Sequence, residues 1–312
     1  MEYIGLQEQL RKNNFRSVFL LIAFPGLLVA LLWLGIYILG KYSGELDLHT
    51  INTSFFVIVP FVLMGVGLWF LIAWFSHTSM IKKATASQSL SRKENMRIYN
   101  LVENLCMSIG MKTPKIYIIE DDSLNAFASG ISESTYAVSF SRGIINKLND
   151  DELKGVIAHE LTHIRNGDVK LLIVSIVFVG IFSFIAQAAF RMAIHGRRSK
   201  NNKAGAIILV VLVMGVIGYL LSLLFRFALS RKREYLADAG AVELTKDSKA
   251  LANALRKITE DPLIEAVERE DVAQMFIEHP KKKKKKAFAG AISGLFATHP
   301  PIEERIELLE QF

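Results

Sequence analysis

The chain has 312 residues, 51% of them hydrophobic, and a mean hydropathy of +0.31, which is too apolar for an ordinary soluble domain. Its 37 Lys and Arg outnumber 30 Asp and Glu for a formal charge of +7, but the excess lies beside apolar runs and in the block Lys281–Lys286. Those positions account for the excess, so it does not require a nucleic acid. Taken in order, the first elements are two uncharged stretches, from about Ser17 to Leu39 and from about Thr53 to Phe75. Each is long enough to cross a bilayer as a helix. Trp33, Tyr37, Trp69 and Trp74 lie toward their ends, where interfacial aromatics belong, and Pro25 and Pro60 are tolerated within spans. The first stretch is long and lacks a small-x-small site after it, so it reads as a retained anchor. Arg11, Lys12 and Arg16 precede it, Lys82, Lys83, Arg92 and Lys93 follow the second stretch, and the link between them holds only Lys41. The positive-inside rule then puts the N-terminus and everything after Phe75 in the cytoplasm.

A helix is predicted over 92–109, with Leu101, Val102, Leu105 and Ile109 on its apolar face. Cys106, the single cysteine, falls within it and reads as a buried thiol; no intrachain disulfide can form. Strands are predicted at Lys115–Ile119 and Thr135–Phe140, with Asn125-Ala126-Phe127-Ala128 between them. Asn149-Asp150-Asp151-Glu152 is then a helix start, with a cap-type residue and acids in the first turn. Leu153, Val156, Ile157, Leu161 and Ile164 continue with helical spacing, and Asn166-Gly167-Asp168 stops the helix.

Within that helix stands His159-Glu160-Leu161-Thr162-His163. Positions i and i+4 share a helix face, so the two imidazoles can converge on one metal ion. Glu160 then lies beside the open coordination position, where a carboxylate can serve as general base toward water. This is a zinc-protease arrangement.

Two further apolar runs follow, about Leu171 to Phe190 and about Ala204 to Phe225, then a basic segment, Arg226 to Arg233. Helices are predicted near 226–245, 248–259 and 302–311. A catalytic zinc needs a third protein ligand. The best candidate is Glu234, and Asp238, one turn on, can accept a hydrogen bond from a ligand imidazole and fix its tautomer. Sharing one zinc requires both halves of the water-soluble domain on one side of the membrane. The two runs between them must then cross twice, as their length favours, or form an embedded hairpin. The hairpin would spare Arg191, Arg197, Arg198, Lys200 and Lys203 from translocation.

The expected architecture is α+β, predominantly helical: an integral membrane protein with about four transmembrane or membrane-embedded helices. Residues 1–75 form an N-terminal hairpin of two transmembrane helices. The first part of a metalloprotease domain occupies 76–168, the third and fourth hydrophobic helices 169–225, and the second part of the domain 226–312.

The ordered motifs resemble the HtpX family of membrane-bound zinc metalloproteases, gluzincins with a glutamate as third ligand, and more distantly the Ste24 CAAX-prenyl proteases. The likeness rests on the two N-terminal spans, Asn125-Ala126-Phe127-Ala128, His159-Glu160-Leu161-Thr162-His163 with Asn166-Gly167-Asp168, Glu234-Tyr235-Leu236-Ala237-Asp238, and His299-Pro300-Pro301 with Arg305. It implies one Zn2+ per chain held by His159, His163 and Glu234, with Glu160 catalytic. It also implies that Asn125, Ala126 and Phe127 lie on a substrate-binding edge strand. His299 and Arg305 would act near the substrate carbonyl as oxyanion donors. Proteolytic quality control of damaged membrane proteins in a bacterial inner membrane, with the active site facing the cytoplasm, is the implied role. Its partners would be protein substrates and the lipid bilayer. Lys281–Lys286 departs from the family pattern and reads as a solvated loop. Two rivals stand beside this reading. A CAAX-type protease would need a larger intramembrane chamber and more spans. A scaffold with a structural zinc would need a fourth protein ligand and no Glu160.

Overall fold

A computed structural model describes residues 6–42, 44, 47–195, 202–228, 231–260 and 300–311. His299 and Lys281–Lys286 lie outside the described residues. The chain divides into two compact units. One comprises Met1–Asn14, Ser76–Ile173 and Phe227–Phe312, the other Phe15–Phe75 and Val174–Arg226.

The second unit is built of helical segments from α1 (Leu6–Tyr42), α2 (Leu48–Thr85), α6 (Asp168–His195) and α7 (Asn202–Ala228). Among the described residues, three stretches are long and apolar enough to cross a membrane: Leu21–Tyr42, Leu48–Thr85 and Asp168–Ile194. A shorter apolar stretch, Gly205–Leu221, lies within α7. Phe56, Phe61, Met64 and Phe75 on α2 are exposed. Water would penalise such a surface, whereas lipid does not. Inside the unit, small residues let helices approach: a Cβ on Gly218 would stand 2.2 Å from the Phe182 ring, and one on Gly215 would stand 3.0 Å from the Ala186 backbone. Phe24 stacks on Phe178 with centroids 4.6 Å apart. Trp33 donates to the Asn52 side chain, linking α1 and α2. α2 runs ten residues beyond the apolar stretch that ends at Phe75, because nothing in Ser76–Thr85 breaks a helix; its last turn carries Lys82 and Lys83.

The first unit holds a small sheet of order β1-β2-β4-β3, from β1 (Gln88–Ser89), β2 (Lys115–Ile119), β3 (Ala126–Ser129) and β4 (Ala137–Ser141). β2 and β4 are parallel, and the outer pairs β1–β2 and β3–β4 are antiparallel. Among the described residues this unit also holds helices α3 (Met96–Ser108), α4 (Arg142–Lys147), α5 (Asp150–Arg165), α8 (Arg231–Thr245), α9 (Ser248–Ile258) and α10 (Ile302–Glu310). At the start of α5, Asn149 and Glu152 form a reciprocal capping box, so two helix-end donors are satisfied locally. α5 is the central element: Leu153, Val156, Ile157, Ala158 and Leu161 are wholly buried. Two glycines let other helices close on it. Gly155 faces the Leu251 backbone on α9, and a Cβ on Gly240 of α8 would come within 2.5 Å of Thr162 Cγ2. Gly240→Ala should therefore push α8 off α5 or strain both, lowering stability by about 1–3 kcal/mol. Thermal unfolding of the detergent-solubilised protein tests this; an unshifted midpoint would mean that the approach is not tight.

Candidate metal centre

The capping box fixes where α5 begins, and helical periodicity then fixes the histidines one turn apart on one face. Their Nε2 atoms lie 3.2 Å apart, with the rings nearly perpendicular at 89°. Glu234, on the first turn of α8, brings one carboxylate oxygen to 3.6 Å from His159 Nε2 and the other to 3.5 Å from His163 Nε2. The three residues offer ligand atoms all within 4.8 Å of one another.

These separations can be tested against zinc chemistry. Tetrahedral Zn–N and Zn–O bonds of about 2.0–2.1 Å place neighbouring donors about 3.3–3.4 Å apart. The Nε2–Nε2 separation of 3.2 Å is close to that value, and each Nε2 has one Glu234 oxygen within 3.6 Å. The far sides of the rings agree. His159 Nδ1 lies 2.9 Å from Asp238, and His163 Nδ1 lies 3.0 Å from Asp168. A proton on each Nδ1, donated to its carboxylate, leaves both Nε2 lone pairs facing the same point. The donor set fits a zinc ion.

Asp238 is itself held. Arg305, fully buried, donates through Nε and Nη2 to the two Asp238 oxygens at 2.8 and 2.7 Å, a two-pronged pair. Its Nη1 lies 3.6 Å from Glu234. Burial works against ionisation of Asp238, but the Arg305 guanidinium and His159 hold its carboxyl down to about 2. For His159 burial works against protonation, yet Asp238 and Glu234 carry the imidazole up to about 9 in the metal-free chain. A proton therefore competes with a metal for this site.

Glu160 is buried and does not join the cluster of donors. Burial pushes its carboxyl above the usual range, against the pull of the two histidines and a backbone hydrogen bond from Ala128. That bond ties the carboxylate to β3, an outer strand of the sheet. Asn125 immediately precedes β3 and is fully buried. Its carbonyl accepts from the Ser141 backbone of β4, and its side-chain oxygen accepts from the Ala126 N–H. The two-residue period then directs the backbone of Asn125 and Phe127 toward β4, and that of Ala126 and Ala128 away from it. The side chains of Ala126 and Phe127 are fully buried as well.

The structure thus brings together His159, His163, Glu234, Asp238, Arg305 and Glu160. Sequence reasoning missed two features. One is the fork of the Arg305 guanidinium onto Asp238, a partner that the expectation of a donor near the substrate carbonyl does not include. Asp168 was read only as part of a helix stop, yet it reaches His163. The signal was there in Gly167, whose φ of +71° reverses the chain and returns the next residue toward α5.

Residues 92–312 match the family model described as peptidase family M48. Over their full lengths, the chain and a "Protease HtpX homolog" of Bacteroides fragilis are 58% identical. A protein of the same name from Streptococcus gordonii is 33% identical, over 98% of this chain and 99% of that one. Among solved structures, the crystal structure of S. mikatae Ste24p matches with a TM-score of 0.50 and 18% identity. The match covers 97% of this chain but 66% of Ste24p, a likeness of fold.

Proposed function

The chain belongs to peptidase family M48, with the HtpX-type proteases, and from that premise we propose that His159, His163 and Glu234 hold one zinc ion beside which Glu160 serves as general base in the hydrolysis of internal peptide bonds. The protein is a membrane-bound metallo-endopeptidase. One observation carries the residue assignment: two imidazoles and a carboxylate offer ligand atoms all within 4.8 Å of one another, with each Nδ1 beside a carboxylate. When bound, the metal supplies Lewis acidity, polarising a carbonyl and acidifying a water. Glu160 takes the proton from that water and delivers it to the leaving amine. The buried carboxyl, with its raised affinity for protons, suits both halves of that transfer.

Substrate binds as an extended segment along β3. The outward carbonyls of Ala126 and Ala128 accept from its main chain, which reads few side chains and so admits many sequences. Asn125 shapes this edge through its hydrogen bond to Ala126. Arg305 orients Asp238, and through it His159, as a positioning residue. His299 remains assigned to the substrate carbonyl by the family resemblance. The substrates are damaged or misfolded membrane proteins, and the active site faces the cytoplasm of a bacterial inner membrane. The rival with a structural zinc is disfavoured, because the donor cluster among the described residues has three members and an acid–base carboxylate beside it.

Glu234→Ala tests the ligand set. The variant should lose zinc at limiting metal and lose casein cleavage with it. Unchanged zinc content would give the third position to another residue. Orientation is tested by single cysteines placed in 197–203 in a Cys106→Ser background. Two crossings by α6 and α7 would let an impermeant thiol reagent label them from the periplasm. Labelling only after lysis would indicate an embedded hairpin.

A further inference from the structure

Asp168 occupies two places at once. It is the first residue of α6, whose Asp168–Ile194 stretch is long and apolar enough to cross a membrane. It also lies at 3.0 Å, through Oδ2, from Nδ1 of His163, and it is buried. Its backbone is fastened too: its carbonyl accepts from Arg233 Nη1 at 3.4 Å, and Arg233 immediately precedes Glu234 on α8. The sharp reversal at Gly167 delivers this carboxylate back onto the helix that the chain has just left.

We propose that Asp168 is a positioning residue for the metal centre: its carboxylate holds the His163 imidazole in the Nδ1–H tautomer and at the rotation that aims Nε2 at the metal. The inference rests on the ligand set proposed above. His163 needs such a brace more than His159 does, since its side chain is 14% exposed and that of His159 is 1% exposed. His163 is thus the less enclosed of the two rings. The brace also sits at the point where a membrane-type helix begins, and Arg233 ties the same residue to the helix that carries Glu234. The start of α6 and the geometry of two metal-binding side chains are therefore one local structure.

A bland role exists for the same residue, since an acid in the first turn favours any helix. Serine serves helix starts as well, but its short hydroxyl cannot span to the imidazole. Asparagine keeps an acceptor at the same reach without the charge. The test uses full-length, detergent-solubilised, metal-stripped protein. Zn2+ affinity is measured by competition with a chromophoric chelator, the visible spectrum is recorded after loading with Co2+, and thermal unfolding is measured without metal. Asp168→Ser should unfold at the wild-type temperature without metal, yet bind Zn2+ about ten- to a hundredfold more weakly, the usual scale for lost support of a metal ligand. Its Co2+ bands should shift. Asp168→Asn should recover most of the affinity. Wild-type affinity and an unchanged Co2+ spectrum in Asp168→Ser would overturn the proposal. Should Asp168→Ser not fold, Asp168→Thr takes its place, since its hydroxyl is equally short and also suits a helix start; wild-type affinity with an unchanged spectrum there would overturn the proposal equally. His163→Ala separates the two layers. If it loses Zn2+ while Asp168→Ser does not, the ligand set stands and the brace falls. If it keeps Zn2+, both fall.

Discussion

Glu160→Gln is expected to bind zinc as the parent does and to lose about two to four orders of magnitude in peptide hydrolysis. The side chain is buried and lies outside the donor cluster, so the substitution takes nothing from the metal. The amide oxygen can still accept the Ala128 hydrogen bond, so the link between α5 and β3 survives. What disappears is the capacity to take a proton from water and return it to an amine. The measurement is zinc content beside the rate of casein cleavage. Solubilised parent protein should also cut itself in trans while Glu160→Gln stays intact. Equal rates in the two proteins would remove Glu160 from the chemistry.

What the sequence made legible was local. The α5 start, the two histidines and the end of the helix at Gly167 all follow from interactions within five residues, and the capping box forms as its letters read. Glu234 was also within reach, because a catalytic zinc with two histidines requires a third ligand and E-x-x-x-D supplies one with a partner on the same face. β3 was harder. All four of its residues are buried, so it shows no alternation to mark it as a strand. β1 has two residues, too few for any pattern. α4 has six and is capped by Ser141, which also serves β4. The pairing of Arg305 with Asp238 was illegible for another reason. The two residues are 67 positions apart, and nothing in Pro300-Pro301-Ile302-Glu303-Glu304-Arg305 states whether the arginine turns to solvent, to substrate or to a buried acid. Only the packing of α10 against α8 and α9 decides it.

That pairing makes Arg305→Ala the most damaging substitution expected. Arg305 has no exposed surface, and it neutralises Asp238 while standing near Glu234. Removing it leaves carboxylates in a buried setting without their cation, a loss of about 3–5 kcal/mol for a broken buried pair. Asp238 would also lose the fork that fixes its rotation, and His159 would lose its brace. Zinc affinity should therefore fall together with stability. Arg305→Lys separates charge from shape, since a lysine keeps the cation but cannot grip both oxygens in a plane. It should recover part of the stability and less of the zinc affinity. An arginine working on the substrate predicts the opposite pattern. Zinc content and thermal midpoint would then stay at the parental level in both variants, and kcat alone would fall. Measuring all three quantities on Arg305→Ala and Arg305→Lys in detergent distinguishes the two roles, and a loss confined to kcat would return the guanidinium to the oxyanion.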